Sequence, residues 1–208
     1  MTGRLAQGFV RLTGWLPQKL IFRMKFRYED KAVQSRRIHG PAIIVSNHTA
    51  IYDFAAMLFI FPGRTLRYQM AEVLFRKKVL GVFLRAMGGI YLDRDSSDMG
   101  FMGKSMDILH QGGVVGVFPE GRLPREGETP PLPFRPGAAF LALNSGVPVI
   151  PVWTEGKYFR SGRTHVVIGV PMDPAGFRRE GCTDRENIEA FAAAMQENVM
   201  RLKELAHE

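Results

Sequence analysis

Ala42-Ile43-Ile44-Val45 is an uninterrupted apolar run, and it leads straight into Ser46-Asn47-His48-Thr49-Ala50-Ile51-Tyr52-Asp53. The run reads as a buried strand, and a second apolar run at 54–61 reads as a helix. A histidine and a carboxylate therefore stand at a strand-to-helix junction. On one continuous helix their five-residue separation would turn Asp53 about 140° away from His48. The two meet only if His48 lies in the turn and Asp53 in the first helical turn, where the helix dipole also favours a carboxylate. In that arrangement Asp53 accepts from one imidazole nitrogen and leaves the other as a base. The plainer alternative is a surface histidine beside an ordinary helix-start aspartate.

The chain of 208 residues is long enough for one sizeable core, and its apolar content of 46% is that of an ordinary folded protein. A net charge of +8 points to an anionic partner: a membrane surface, a nucleic acid or a phosphorylated substrate. Cys182 is the only cysteine, which excludes an internal disulfide and a cysteine metal cluster and fits a reducing compartment. No run approaches the roughly 18 apolar residues of a spanning helix, and no signal peptide is expected.

Residues 1–28 carry Arg4, Arg11, Lys19, Arg23, Lys25 and Arg27 and no acidic residue. Leu5, Phe9, Leu12 and Leu16 follow helical spacing, and Pro17 is expected to end one helix and start the next. Basic amphipathic helices with Trp15 and phenylalanines on the apolar side resemble a membrane-surface anchor. The alternative is a helix packed on the protein's own core. Residues 73–87 read as one further basic amphipathic helix, with Leu74, Phe75, Val79, Leu80, Phe83, Leu84 and Met87 on one face and Arg76, Lys77, Lys78 and Arg85 on the other.

Strands are expected at 65–70, 88–95, 113–118, 147–153 and 164–170, and helices at 97–111, 138–144 and 184–206. Asp98 is a candidate cap of the helix at 97–111. Pro148 and Pro151 suggest an edge strand or a place where pairing stops. Strands alternating with helices imply an α/β fold: a mainly parallel central sheet flanked by helices. Residues 1–29 form the N-terminal membrane-surface helices and residues 30–208 one α/β domain.

Three loops follow predicted strands: Asn47-His48, Asp93-Arg94 and Pro119-Glu120-Gly121-Arg122. In a parallel α/β sheet such loops gather at the carboxyl edge, where ligands bind. A base from the first loop and arginine forks from the others suit a hydroxyl on a phosphorylated substrate. No serine or cysteine has a nucleophile's setting, so direct attack by an acceptor hydroxyl is the simplest chemistry. Each piece also has a bland reading: Arg94 as the partner of Asp93 or Asp95, and Glu120-Gly121 as a plain turn. His39, His110, His165 and His207 lack ligand-like spacing, and no metal is expected.

Taken in order, Asn47-His48-x-x-x-x-Asp53, Gly89-Ile90-Tyr91-Leu92-Asp93-Arg94, Phe118-Pro119-Glu120-Gly121 and Val147-Pro148-Val149-Ile150-Pro151-Val152 resemble the four motifs of the glycerolipid acyltransferases, of the 1-acyl-glycerol-3-phosphate type. Phe134-Arg135-Pro136-Gly137-Ala138 resembles that family's segment before the last motif. The resemblance runs over roughly residues 40–172. It implies transfer of a fatty acyl group from acyl-CoA or acyl carrier protein to a lysophosphatidic acid hydroxyl, giving phosphatidic acid, with no cofactor beyond the thioester co-substrate. His48 would take the hydroxyl proton and Asp53 would orient it. Arg94 and the Glu120-Gly121-Arg122 loop would bind the acceptor's phosphate, and Pro148 would shape the acyl side.

The chain departs from that family in two places. Arg122 directly follows Gly121, where threonine and then arginine are usual, so Arg122 and Arg125 both remain candidates. Met70-Ala71-Glu72 stands where a lysine is usual. Both changes leave room for another lyso-lipid acceptor, such as a lyso-amino-acid lipid. A non-catalytic lipid-binding protein is the rival reading. A nucleic-acid partner is not expected, because the basic residues alternate with long apolar faces. The expected place of action is the cytoplasmic face of the cell membrane, on an anionic surface, peripheral or monotopic.

Overall fold

A computed structural model describes residues 3–92, 100–159 and 162–207. The helices are α1 (Arg4–Ile21), α2 (Asp53–Ile60), α3 (Glu72–Arg76), α4 (Lys78–Ala86), α5 (Gly100–His110), α6 (Gly137–Ser145) and α7 (Asp184–Leu205). The strands are β1 (Met24–Tyr28), β2 (Ala42–Ser46), β3 (Leu66–Ala71), β4 (Ile90–Leu92), β5 (Val114–Val117), β6 (Val149–Thr154) and β7 (Thr164–Ile168). They form one sheet in the order β1-β7-β6-β2-β5-β3-β4, parallel throughout except between β6 and β7.

The central strands are apolar without alternation because both faces of the sheet are covered. Ile43 and Val45 point into a layer closed by α5, α6 and α7, which supply Leu109, Leu141 and Phe191. Ala42 and Ile44 point into the opposite layer, closed by α2 through Met57 and Ile60 and by Ala6 and Val10 of α1. The carboxyl ends of β2 and β5 therefore lie at one edge, with the turn before α2 directly above them.

Four expectations are corrected. Pro17 does not divide two helices: α1 runs through it. Pro17 and Thr13 are exposed, so the carbonyl that loses its donor belongs to an exposed residue and not to the core. Residues 24–28 belong to the sheet, with β1 on β7, so the first 29 residues are not a separate unit. Met24, Phe26 and Tyr28 pack on the core and leave Lys25 and Arg27 between them, a two-residue period that basic composition concealed. The helix over 73–87 breaks at Lys77, whose backbone is extended (φ −73°, ψ 120°). Gly81 then lies so near the Phe75 carbonyl that a Cβ would come within 2.2 Å of its oxygen. Finally, β6 is an interior strand between β7 and β2. Its regular ladder to β7 begins at Val152, but the Pro151 carbonyl still accepts from the Gly169 N–H and Val149 pairs with Met172 beyond it, so pairing is interrupted at the proline without stopping there.

Candidate active site

Asp53 opens α2 and is fully buried. Its Oδ2 accepts from the backbone N–H groups of Thr49 and Ala50, each at 2.8 Å, and lies 2.9 Å from His48 Nδ1. Ionised Asp53 therefore holds the proton on Nδ1 and leaves Nε2 as the basic nitrogen. The turn at 47–52 bends His48 back over the helix start, which is the geometry a five-residue spacing requires. The His48 side chain is 19% exposed, so it is supported by protein and still reachable. Its ring stacks on Phe118 at 4.3 Å, and Phe118 stacks on Tyr68 at 5.1 Å. Gly116 makes room for this column: a Cβ there would stand 2.2 Å from the Tyr68 ring.

Three side chains that sequence reasoning left out of the site hold the pair. Tyr158 donates from its hydroxyl to Asp53 Oδ1 at 2.8 Å, so both carboxylate oxygens are engaged. Burial and the nearby Asp53 charge push the Tyr158 hydroxyl far above its ordinary value, which keeps it a donor. Thr154 Oγ1 lies 3.3 Å from that hydroxyl. Asn47 clamps the turn to the end of β6, donating to Thr154 O at 2.8 Å and accepting from Thr154 N at 2.9 Å. Asn47 stood inside the quoted motif; Tyr158 and Thr154 had no signal in one sequence, because the pairing of β6 with β2 brings Thr154, and the segment after β6 brings Tyr158, from more than a hundred positions away. Phe159, with φ +62°, follows Tyr158; its N–H meets the Ile21 carbonyl at 3.2 Å and its ring packs on Tyr52. A positive φ on an aromatic residue is strained, and here contacts on two sides hold it.

Glu120 is brought to His48, with a task different from the one expected. It is 3% exposed, and its two oxygens accept from the backbone N–H groups of His48 and Leu132, both at 2.7 Å. Desolvation raises its proton affinity in spite of these bonds. A buried anion with both oxygens occupied repels a phosphate; Glu120 braces the His48 turn against the loop at 120–132. Gly121 has φ +73°, and a Cβ there would meet the Arg135 guanidinium at 2.9 Å. Arg122 makes a two-pronged ion pair with Glu128, both bonds 2.6 Å. Arg125 contributes its backbone N–H to the same carboxylate. Neither Arg122 nor Arg125 is brought into contact with His48; Arg135 lies over Gly121 instead. Arg94, Asp93, Asp95 and Asp98 lie outside the described residues.

The site is poor in metal ligands, since His48 Nδ1 faces Asp53 and Glu120 is spent on N–H groups. Glu155, His165 and His207, which are distant in sequence, do come together within 4.8 Å. There the Lys157 ammonium already pairs with Glu155 at 3.2 Å.

Among known proteins, the chain is similar to human 1-acyl-sn-glycerol-3-phosphate acyltransferase beta, with 28% identity over 171 residues, 76% of this chain and 60% of that protein. It is similar to the Bacillus subtilis 1-acyl-sn-glycerol-3-phosphate acyltransferase, with 26% identity over 77% of this chain and 80% of that one. The chain thus spans about three-fifths of the human relative's length. The crystal structure of the 1-acyl-sn-glycerophosphate acyltransferase PlsC from Thermotoga maritima shares the fold, with a TM-score of 0.69 and 22% identity over 97% of this chain and 80% of that one. The acyltransferase family model matches residues 24–155, a span that holds every side chain placed around His48 except Tyr158, and the chain belongs to that family.

Proposed function

We propose that this protein transfers a fatty acyl group from an acyl thioester to the free hydroxyl of 1-acyl-glycerol-3-phosphate and so forms phosphatidic acid. The observation that carries the reading is the His48–Asp53 pair, buried on the Asp53 side and open on the His48 side, with Nδ1 occupied at 2.9 Å. His48 Nε2 removes the acceptor hydroxyl proton as the oxygen attacks the thioester carbonyl. The tetrahedral intermediate collapses, the carbon–sulfur bond breaks, and the imidazolium returns the proton to the thiolate. Asp53 stabilises the imidazolium between these steps. Cys182 stands just before α7 and takes no part. Arg94, Arg122 and the loop around Gly121 are proposed for the acceptor's phosphate. The pairing of Arg122 with Glu128 makes Arg135, over Gly121, the better source of a fork among the described residues.

The proposed setting is the cytoplasmic face of the cell membrane, with α1 lying in the interface. Among the described residues no helix is long and apolar enough to cross a membrane. Yet Leu5, Phe9, Leu12, Leu16 and Leu20 of α1 are all exposed, as are Val79 and Val82 of α4. The N-terminal end of α1 meets α4 at Met87, and its far end reaches the Tyr158 bend through Ile21. Tyr52 and Ile51, beside His48, are exposed as well, which suits an acceptor that stays in the lipid layer.

The test is acyl transfer by purified protein in mixed micelles, with acyl-CoA and acyl carrier protein thioesters offered against lysophosphatidic acid, glycerol phosphate and lyso-amino-acid lipids. Phosphatidic acid is expected from one or both donors. His48→Ala, with an unchanged melting profile, is expected to lower the rate by about 10²–10⁴-fold. A product only with another lyso-lipid moves the acceptor and keeps the mechanism. Retained activity in the variant removes His48 as the base, and no product from any pair leaves a lipid-binding protein.

A further inference from the structure

Met24 and Phe59 pack against Phe22 and Tyr158 on one side, and on the other they line a cleft of about 700 Å³ between α1, β1 and the end of α2. The cleft shares no residue with the His48 pair or with the groups that brace it. Its charge is one-sided: Arg11, Lys19, Arg23, Arg36 and Arg163 line it, and among the described residues no acidic side chain does.

Two of these cations are partly buried. Arg11 spends Nε and Nη2 on the carbonyls of Leu58, Phe61 and Arg64. Arg36 spends Nε and Nη2 on those of Ile60 and Phe59. The carbonyl end of α2 anchors both guanidiniums and supplies only a partial negative charge. Burial pushes both guanidiniums below their ordinary value, the mark of charge short of compensation. Aromatic faces hold two of the five: Lys19 stands 3.7 Å from the Trp15 ring centre, and Arg36 stands 4.2 Å from that of Phe26. These contacts place cations without neutralising them. Among the described residues none of the five pairs with a carboxylate.

Five gathered cations that lack a counter-charge call for an anion with several oxygens, and guanidinium forks match a phosphate best. The walls point to the carrier of that phosphate. Trp15 is itself more than half exposed and continues into the bare apolar face of α1 at Leu12 and Leu16. A molecule seated with its phosphate in the cleft can lay a hydrocarbon chain along that face.

We propose that this cleft binds the phosphate monoester headgroup of a membrane lipid, with the acyl chains leaving over α1. It is a second lipid site, apart from the one where acyl transfer is proposed, and it does not depend on turnover. A phosphate monoester carries more negative charge and one more free oxygen than a phosphodiester, so the site favours phosphatidate over phosphatidylglycerol.

The probe is co-sedimentation of the full chain with phosphatidylcholine vesicles that contain phosphatidate or phosphatidylglycerol at matched surface charge. The cleft variant is Lys19→Gln/Arg23→Gln/Arg163→Gln, three exposed residues. The charge-matched control is Lys77→Gln/Lys78→Gln/Arg85→Gln, at the break after α3 and on α4. Wild type is expected to prefer phosphatidate by roughly tenfold, since guanidinium forks meet the additional charge and free oxygen of the monoester. The cleft variant is expected to lose that preference, while the control weakens on both vesicles alike and keeps the ratio. Equal ratios in the two variants overturn the proposal. Glycerol 3-phosphate is titrated in parallel. If calorimetry shows it bound by wild type and not by the cleft variant, with no preference between vesicles, the lipid assignment is overturned and the ligand is a soluble phosphate ester.

Discussion

Helices α1 and α7 stand at opposite ends of the chain, carry the same apolar periodicity, and lie opposite ways round. In α7 the stripe of Phe191, Met195, Val199 and Leu202 is at most 1% exposed and closes one face of the sheet. In α1 the stripe of Leu5, Phe9, Leu12, Leu16 and Leu20 faces outward, with Leu5 81% and Leu12 79% exposed. The side of α1 that meets the protein is partly polar. Gln7, fully buried, donates to the carbonyls of Leu66 and Met87 and accepts from the Leu66 N–H. Arg11 takes the carbonyls that α2 leaves open at its end. Periodicity shows which residues share a face. Which face turns inward depends on the backbone groups its neighbours leave unpaired, because a buried orphan carbonyl costs more than an exposed leucine.

The largest expected effect lies on the α7 side. Phe191 stacks on Phe177 at 4.2 Å and is wholly buried. Phe191→Ala is expected to cost about 3–5 kcal/mol through lost transfer energy and a cavity, read from the urea midpoint. A loss under about 1 kcal/mol would mean that α7 is a loosely attached cover like α1.

On α1 the corresponding anchor is a polar residue. Gln7→Ala strands two carbonyls and one N–H at the ends of α4 and β3, with an expected cost of about 2–3 kcal/mol. Gln7→Leu is expected to be no better, although leucine is the larger apolar residue. A stabilised leucine variant would show that the inner side of α1 is an ordinary apolar contact.

This inversion marks where one sequence stops informing. The α/β class, β2, α2, β5 and α7 were legible, because fully buried strands and one-sided helices leave patterns local to themselves. The His48–Asp53 pairing was legible too, since only one local geometry lets residues five apart meet at a helix start. Tyr158, Thr154 and the true task of Glu120 were not. Each acts at long range: Tyr158 meets Asp53 across 105 positions, and Glu120 meets His48 across 72. The division of residues 1–29 from the rest failed for a similar reason. Met24–Tyr28 becomes a strand only because β7 offers it an edge.

The two helices also differ in what holds their first turns. Thr183 and Glu186 form a reciprocal cap on α7, and bonds from the Thr183 N–H and hydroxyl hold the Glu186 carboxyl below its ordinary value. A carboxyl depressed in the folded state adds stability above its unfolded value, and this is lost as pH falls through the folded value. Acid titration below the ordinary glutamate value is therefore expected to weaken α7, and Glu186→Gln is expected to flatten that part of the curve. No acidic residue stands in the first turn of α1, so its hydrogen exchange is expected to change little over the same window. Equal pH sensitivity at both ends would trace the effect to the whole fold.

The smallest expected change in stability is the most decisive for function. Leu12→Gln/Leu16→Gln keeps helix propensity nearly constant and touches nothing that α1 buries. Unfolding free energy is expected to stay within about 0.5 kcal/mol of wild type, as for exposed positions generally. Vesicle binding is expected to fall by about 10²–10⁴-fold, because each of the two leucines that leaves the lipid forfeits about 1.5–3 kcal/mol of burial. The pair of readouts separates two accounts of the exposed stripe. If stability drops by several kcal/mol while vesicle binding holds, the stripe is covered by protein, as it is in α7, and α1 is a core helix. If stability holds and binding falls, the lipid layer completes the burial that the protein leaves open. Tyr158 then joins that layer to chemistry, since its ring packs at 4.9 Å on Phe22, the residue that ends α1, and its hydroxyl holds Asp53.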